Sequence, residues 1–354
     1  MNASLRALLL GAMSGLCGCA TTGCQVPAAP SPPEPSARLV CDRDYRPAVE
    51  ALVAAATDRV SVTQWELFAG EQTDAMVDAL GAAAARGVRV RVLLDDEIED
   101  NAAGAARLVA LGVDARLDGL PDTKMHAKSF VADGTTALVG STNWSDSSIA
   151  YNHECNLLLT GGPPAAFVDL WFEGVWEDAG QRGIPEVDQS GSPRLKALAD
   201  GALLPSLLDA IEGAQREVSF TMYATALQPT NPGAPAMQVF AALMDAAGRG
   251  VPVRGVAEWS DWQEDNNRRN EEAVDWLEAG GVDMRWERAD VITHAKTFLV
   301  DDWIQVQSAN LSSSGFSYNH EVGAATDLAE PVADYRVWFD ALWSTSTDAP
   351  GAAR

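Results

Sequence analysis

The stretch "MHAKSFVADG", Met125 to Gly134, and its echo "THAKTFLVDD", Thr293 to Asp302, decide how this chain is read. Histidine and lysine are both rare: the histidines are His126, His153, His294 and His320, and the lysines are Lys124, Lys128, Lys196 and Lys296. In a strand, residues i and i+2 project from one face, so His126 with Lys128, and His294 with Lys296, are expected to point together. Asp133 and Asp301 lie an odd step beyond the lysines. Parity puts them on the far face or in the strand-end turn, supporting backbone rather than meeting a ligand.

Outward from this stretch, the chain repeats itself in order. "RGVRVRVLLDD" (Arg86 to Asp96) is echoed by "RGVPVRGVAEW" (Arg249 to Trp259), and "GVDARL" (Gly112 to Leu117) by "GVDMRW" (Gly281 to Trp286). "YNHE" occurs at Tyr151–Glu154 and again at Tyr318–Glu321. "WFEGVW" (Trp171 to Trp176) returns as "WFDALW" (Trp338 to Trp343). Two long copies mean a duplicated domain, not a short-repeat solenoid. Within each copy, strand and helix patterns alternate: "RVSVTQWELF" as a strand, Thr73 to Arg86 as a helix, "VRVRVLL" as a strand, Asn101 to Leu111 as a helix, then "SFVAD" paired with "TALVGS". "NLLLTG" follows as a strand, and a helix carrying "WFEGVW" closes the copy. This rhythm predicts an α/β fold with a largely parallel or mixed sheet covered by helices. The join falls near Gly183 to Pro193, "GIPEVDQSGSP", which is rich in turn formers.

Downstream of each "HAK", Ser141 and Asn143, and Ser308 and Asn310, stand two apart, and Glu154 and Glu321 follow eleven residues past each asparagine. Each half therefore offers a histidine, a cation, neutral donors and an orienting carboxylate. That inventory suits attack on a phosphodiester, with lysine and asparagine holding the non-bridging oxygens. A glutamate that accepts the proton of one ring nitrogen sets the tautomer of the histidine and raises its basicity. One half does not suffice: a neutral histidine is needed as nucleophile and a protonated one as acid for the departing alcohol. Both "HAK" segments are thus expected to line one cleft.

These residues resemble the phospholipase D superfamily, including bacterial cardiolipin synthase-like proteins, whose pattern is H-x-K-x-x-x-x-D, then G-S-x-N and a later glutamate. The first copy reads His126, Lys128, Asp133, Gly140-Ser141-Thr142-Asn143 and Glu154; the second reads His294, Lys296, Asp301, Gln307-Ser308-Ala309-Asn310 and Glu321. Gln307 departs from the family glycine and is read as narrowing the pocket. The resemblance implies two phospholipase D-like domains, each a mixed β-sheet flanked by helices, packed with pseudo-two-fold symmetry. It also implies a two-step reaction through a phosphohistidine, with neither metal nor cofactor. His126 is assigned as nucleophile and His294 as general acid, assisted by Lys128, Lys296, Glu154 and Glu321. Lys128, Lys296, Asn143, Asn310, Ser141 and Ser308 are assigned to the substrate phosphate, and Asp133 and Asp301 to supporting the motif.

Other residues are read more plainly. His153 and His320 point away from the carboxylate face and are structural or support the site from behind. The tryptophans of "WFEGVW" and "WFDALW" have helical spacing and belong to the core. Asp95 and Asp96 read as a solvated loop, and Trp144 either touches a substrate chain or packs.

The N-terminus differs from the body. "MNASLRALLLGAMSGLCGCATTGC" has a short apolar run, too short to span a bilayer, and reads as a signal peptide over residues 1–18. Leu16-Cys17-Gly18-Cys19 resembles a lipobox, which implies acylation at Cys19 and a lipid-anchored bacterial envelope protein; ordinary cleavage near Ala20 would leave a secreted one. Residues 19–39 are Pro-rich and read as a tether, followed by domains over 40–183 and 193–346. Cys41 and Cys155 either form a disulfide or remain as buried thiols, and no cysteine–histidine spacing suggests a metal site.

The apolar content of 47% is that of a globular chain, and the net charge is −25. A long nucleic-acid track would need a basic surface, so nucleic acid is a disfavoured partner. The reading is a phosphodiesterase or phosphatidyltransferase that cleaves or exchanges glycerophospholipid head groups at a membrane surface. It is monomeric, because one chain holds both half-sites. The alternative is a metal-independent envelope endonuclease. A non-catalytic binding protein is disfavoured, since neither "HAK" set is lost.

Overall fold

The computed structural model describes residues 34–120, 123–180 and 182–351. The expected signal peptide, Cys19 and the tether up to residue 33 lie outside the described residues. The first sheet contains β1 (Ser36–Cys41), β2 (Arg59–Gln64), β3 (Arg89–Leu94), β4 (Asp114–Leu117), β5 (Ser129–Ala132), β6 (Thr136–Gly140) and β7 (Cys155–Thr160). Their order is β1-β7-β6-β5-β2-β3-β4. β2, β3 and β4 run parallel, and every other pairing is antiparallel. The second sheet contains β8 (Leu195–Ala199), β9 (Val218–Met222), β10 (Val253–Ala257), β11 (Asp283–Trp286), β12 (Thr297–Val300), β13 (Trp303–Gln307) and β14 (Val322–Thr326). Its order, β8-β14-β13-β12-β9-β10-β11, repeats the first sheet strand for strand with the same directions. The duplication expected from the sequence is therefore a duplication of topology.

Parallel neighbours need crossovers, and helices supply them. The first half has α1 (Tyr45–Ala55), α2 (Glu71–Ala85), α3 (Glu99–Ala110), the short α4 (Asp146–Ala150) and α5 (Gly162–Glu177). The second has α6 (Leu203–Gly213), α7 (Pro235–Gly248), α8 (Glu264–Ala279) and α9 (Ala329–Thr345). α2 starts two residues ahead of the Thr73 read from sequence, because Asp146 caps it from far along the chain. The Asp146 carboxylate accepts the amides of Glu71 (2.9 Å) and Gln72 (2.8 Å). Gly70 makes that approach feasible, since a Cβ there would lie 2.4 Å from Asp146.

Alternation along each strand feeds two separate cores. In β5, Val131 joins a central core, while Phe130 and Ala132 face an outer one with α1 and α2. In β12, Leu299 faces the centre, and Phe298 and Val300 face the outer helices. The central core joins the inner faces of both sheets through α5 and α9, which bury Trp171, Phe172, Tyr335 and Phe339. Each such side chain contributes roughly 1.5–3 kcal/mol on burial, and that is what holds the two halves together. Among the described residues no helix is long and apolar enough to cross a membrane.

Three readings change and one left open is settled. β1 begins at Ser36, ahead of the domain start expected at 40, because Ala37 and Leu39 alternate inward against β7. Cys41 and Cys155, paired in that register, form a disulfide. β2 ends at Gln64, so "WELF" leaves the sheet. Finally, β5 and β12 begin at Ser129 and Thr297. "HAK" is thus the approach to a strand rather than part of one, at the sheet end where β2 and β9 finish.

Candidate active site

His126, Lys128, His294 and Lys296 are all buried. Each lysine folds back on its own histidine: Lys128 Nζ donates to the His126 carbonyl at 2.6 Å, and Lys296 Nζ donates to that of His294. These bonds hold the cations beside the imidazoles without neutralising them.

The carboxylates are crossed. His126 Nδ1 bonds both oxygens of Glu321 at 2.8 and 3.0 Å, and His294 Nδ1 bonds both oxygens of Glu154 at 2.9 and 3.0 Å. The sequence reading gave each half its own orienting glutamate; in the structure each half orients the histidine of the other. Backbone stitching is the cause. The His153 amide donates to Ile292 O and the His320 amide to Lys124 O, both at 2.8 Å, while the His294 and Ala295 amides donate to His153 O at 2.9 Å. Each "YNHE" segment therefore pairs with the residues preceding the opposite "HAK", and the next side chain lands on the opposite ring.

The serines differ from their assigned role. Ser141 donates to Glu154 and Ser308 to Glu321, so both hold the carboxylates instead of facing a phosphate. Ser148 adds a bond to Glu154, and Asn319 donates to Glu321 at 3.2 Å. The carboxamides of Asn143 and Asn310 remain available, each with a buried amide oxygen that has no partner within the protein.

Electrostatics follow from this geometry. Burial is the largest influence on both histidines; it outweighs the glutamates and, with the lysines, lowers each imidazole to about 4. Burial pushes Glu154 and Glu321 up, but their histidine, lysine and serine partners bring both below the usual carboxylate range. The free site thus holds neutral imidazoles against ionised carboxylates, with Nδ1 protonated and Nε2 free. Burial lowers Lys128 to about 8, against the pull of nearby carboxylates, and lowers Lys296 well below the ordinary lysine value. An aromatic ring covers each histidine: Trp65 lies 5.3 Å from His126 and Tyr223 4.4 Å from His294.

Asp133 and Asp301 lie at the far ends of β5 and β12, both at positive φ (52° and 53°). The Asp133 carboxylate accepts the amides of Thr57, Asp58 and Arg59 at 2.9–3.0 Å, and Asp301 accepts those of Gln215, Arg216 and Glu217 at 2.7–3.1 Å. Both hold the loop entering the neighbouring strand, away from the histidines.

Gln307 does not narrow a pocket. It is buried opposite Gly323, and its amide donates to Ala309 O at 3.0 Å. In the first half the pair is reversed: Gly140 lies opposite Asn156, whose amide donates to Thr142 Oγ1 at 2.8 Å. A Cβ on Gly140 would come within 2.4 Å of Cys155 O, and one on Gly323 within 2.5 Å of Val306 O. One large and one small residue fill each crossing, in opposite order.

Several residues escaped the sequence reading. Asp42 and Asp200, both at positive φ, donate their amides to the carbonyls of Glu154 and Glu321 at 2.9 Å, and their carboxylates accept the amides of the same glutamates at 3.0 Å. "CDRD" and "ADGA" share a single aligned letter, so no repeat marked them. Asp95 is buried, not solvated: it accepts the Met125 amide at 2.7 Å, as Glu258 accepts that of Thr293 at 2.6 Å. The aligned "LLDD" and "GVAEW" segments already carried that signal. His153 and His320 act through backbone, with side chains on Asp42 (3.3 Å) and Ala179 O (2.7 Å). Trp144 packs, donating to Tyr45 Oη at 3.0 Å, and Trp338 of the closing helix reaches Asp42 at the same distance.

Comparison with known proteins adds an independent observation. The family model described as "Cardiolipin synthase, PLD-like domain" matches residues 49–176 and 207–343. The mitochondrial cardiolipin hydrolase of Homo sapiens is 36% identical over 96 residues, and that of Xenopus tropicalis 40% over 97. These alignments cover 26% of this chain and 36% and 44% of the relatives, so the chain spans less than half the length of either. Among solved structures, phosphatidylserine synthase of Haemophilus influenzae Rd KW20 is similar with a TM-score of 0.67 at 13% identity, over 88% of this chain and 86% of that one. Polyphosphate kinase of Porphyromonas gingivalis follows with a TM-score of 0.58 at 15% identity, over 87% and 46%. At such identities these two likenesses speak for the fold alone.

Proposed function

This chain belongs to the phospholipase D-like family that includes the cardiolipin synthase type of domain, and from that premise we propose that it transfers the phosphatidyl group of glycerophospholipids, to water or to an alcohol. The observation that carries the reading is the crossed pairing of His126 with Glu321 and His294 with Glu154, which makes one two-histidine centre out of both halves.

In the proposed sequence, His126 Nε2 attacks phosphorus while Glu321 holds the proton on Nδ1. The bond from phosphorus to the leaving oxygen breaks, and His294, protonated on both nitrogens, gives its Nε2 proton to that oxygen. An incoming hydroxyl then attacks phosphorus, the phosphorus–nitrogen bond breaks, and His294 takes the hydroxyl proton. The free histidines are neutral, which suits the nucleophile. The arriving phosphate anion favours the imidazolium required of the acid. Lys128 and Lys296 balance charge on the non-bridging oxygens, joined by Asn143 and Asn310. One chain supplies every group, so turnover needs no second copy. The lipobox-like ending at Cys19 supports an anchored position at an envelope membrane, and loss of fatty-acid labelling in Cys19→Ala would test it.

The decisive experiment offers mixed phospholipid vesicles and plasmid DNA in parallel, with a chelator present. Release of head groups is expected. Rapid DNA cleavage without head-group release would overturn the lipid reading in favour of a nuclease.

A further inference from the structure

The two half-sites share the histidine, lysine, asparagine and crossed glutamate, but beside one of them stands a carboxylate where the other has a methyl group. The Trp144 amide donates to Glu66 O at 3.3 Å, and the Phe68 amide to Trp144 O at 2.9 Å. In the other half, the Leu311 amide donates to Ala224 O at 3.2 Å and the Ala226 amide to Leu311 O at 3.0 Å. Glu66 and Ala224 thus hold the same place, each directly after the aromatic residue, Trp65 or Tyr223, that covers a histidine.

The Glu66 side chain is half-buried beside Ser145, near enough to Lys128 and Lys296 that both act on it. Burial raises its carboxyl above the usual range, opposed by Ser145 and the two lysines. None of the transfer steps above uses this group. The histidines are already oriented by Glu321 and Glu154, and the phosphate already has two lysines and two asparagines.

A phosphodiester, however, joins two different alcohols, and a symmetric centre could bind it in either direction. In a glycerophospholipid one alcohol carries acyl chains and the other is polar. A half-buried carboxylate on one side and a methyl group on the other distinguish them, because apolar groups packed on the carboxylate leave it desolvated without a partner. We propose that Glu66 selects the polar alcohol by accepting a hydrogen bond from a second donor on it, a hydroxyl or an ammonium, and so orients the diester across the two histidines. The inference rests on the transfer reading above.

The test uses the purified chain and two arms. In the first, bis(p-nitrophenyl) phosphate is the phosphoryl donor, with glycerol and ethanol as competing acceptors, and product ratios are read by mass spectrometry. Wild type is expected to favour glycerol, which carries a second donor. Glu66→Ala should lower the glycerol-to-ethanol ratio at least tenfold, Glu66→Gln should lower it less, and Ala224→Glu, with the first carboxylate intact, should also erode it. In the second arm, phosphatidylglycerol and phosphatidylcholine vesicles compete, and the same variants should lose preference for the glycerol lipid. An unchanged ratio in all three variants overturns the assignment. An equal fall for both acceptors also overturns it, because Glu66 would then serve the general machinery. Loss of glycerol selection in the first arm without phospholipid cleavage in the second would retain Glu66 and reject the lipid reading. Absence of turnover on every diester overturns both.

Discussion

Glu321 holds the Nδ1 proton of His126 from 195 residues away, across the boundary between the two halves. The active centre is therefore not two copies of one site side by side but an exchange, in which each domain supplies the histidine and lysine of one half-site and the carboxylate of the other.

The exchange makes the glutamates distinguishable. Glu321→Gln should prevent phosphoenzyme formation, because it weakens the nucleophile. Glu154→Gln should resemble His294→Asn and let phosphoenzyme persist. Each should slow turnover by about 10²–10⁴-fold. Acid-quenched labelling with a radioactive diester reads the difference, and equal labelling of the two glutamate variants would refute the assignment of roles.

The pH profile follows from the lysine. Lys128 titrates at about 8, so the cation that balances phosphate charge is lost as pH rises through that value. kcat/KM is expected to fall about tenfold per pH unit above about 8. Stability moves differently. Both histidines are lowered to about 4 in the folded chain, against about 6.5 when unfolded, so between these values the unfolded chain binds more protons. Thermal stability should therefore drop as pH falls from about 6.5 toward about 4, and a melting series that rises over that window would contradict it.

The reversed pairs Gly140–Asn156 and Gln307–Gly323 predict a compensated double variant. Gln307→Gly alone empties a buried position, and Gly323→Asn alone drives a side chain into occupied space; each should cost about 1–3 kcal/mol. Together they recreate the arrangement of the first half, and the double variant should recover most of the loss. Denaturant titration measures the coupling, and simple additivity would show that the two crossings are not equivalent.

Asp42 and Asp200 should behave as positioning residues. Asp42→Ala leaves the buried Glu154 amide without its side-chain acceptor, costing about 1–3 kcal/mol, and loosens the carboxylate on His294. Turnover should fall about 10–100-fold, with accumulation of phosphoenzyme as for Glu154→Gln. Asp200→Ala should instead suppress its formation. A common loss of stability with unaltered labelling would leave these residues a purely structural role.

The Cys41–Cys155 disulfide spans 114 residues and joins β1 to β7 next to Glu154. Replacing both cysteines by alanine releases that loop in the unfolded chain and should lower stability by up to about 4 kcal/mol. The midpoint of guanidinium unfolding reads the effect, and a midpoint unmoved by the substitution would show that the linkage carries no stability.

Much of the fold was legible in sequence because its signals are local. Apolar alternation marks strands, helical spacing marks the closing tryptophan helices, and "HAK" twice in register marks a duplicated centre. Turn chemistry offered Asp133 and Asp301 the strand-end turn as one of two places, and that is where they stand. Local signals also misled: "HAK" looked like strand, and Asp95 looked like a solvated loop, because neither pattern reports what packs at the end of a sheet.

What the sequence determined by itself was the pair of matched half-sites and the residue types each contributes, since both depend on order along the chain. Tertiary structure alone decided which glutamate meets which histidine, that Ser141 and Ser308 hold carboxylates rather than phosphate, and that Glu66 takes the place that Ala224 holds in the other half. These relations depend on two sheets sharing the core around α5 and α9, and contacts made across such an interface leave no period in the chain that could announce them.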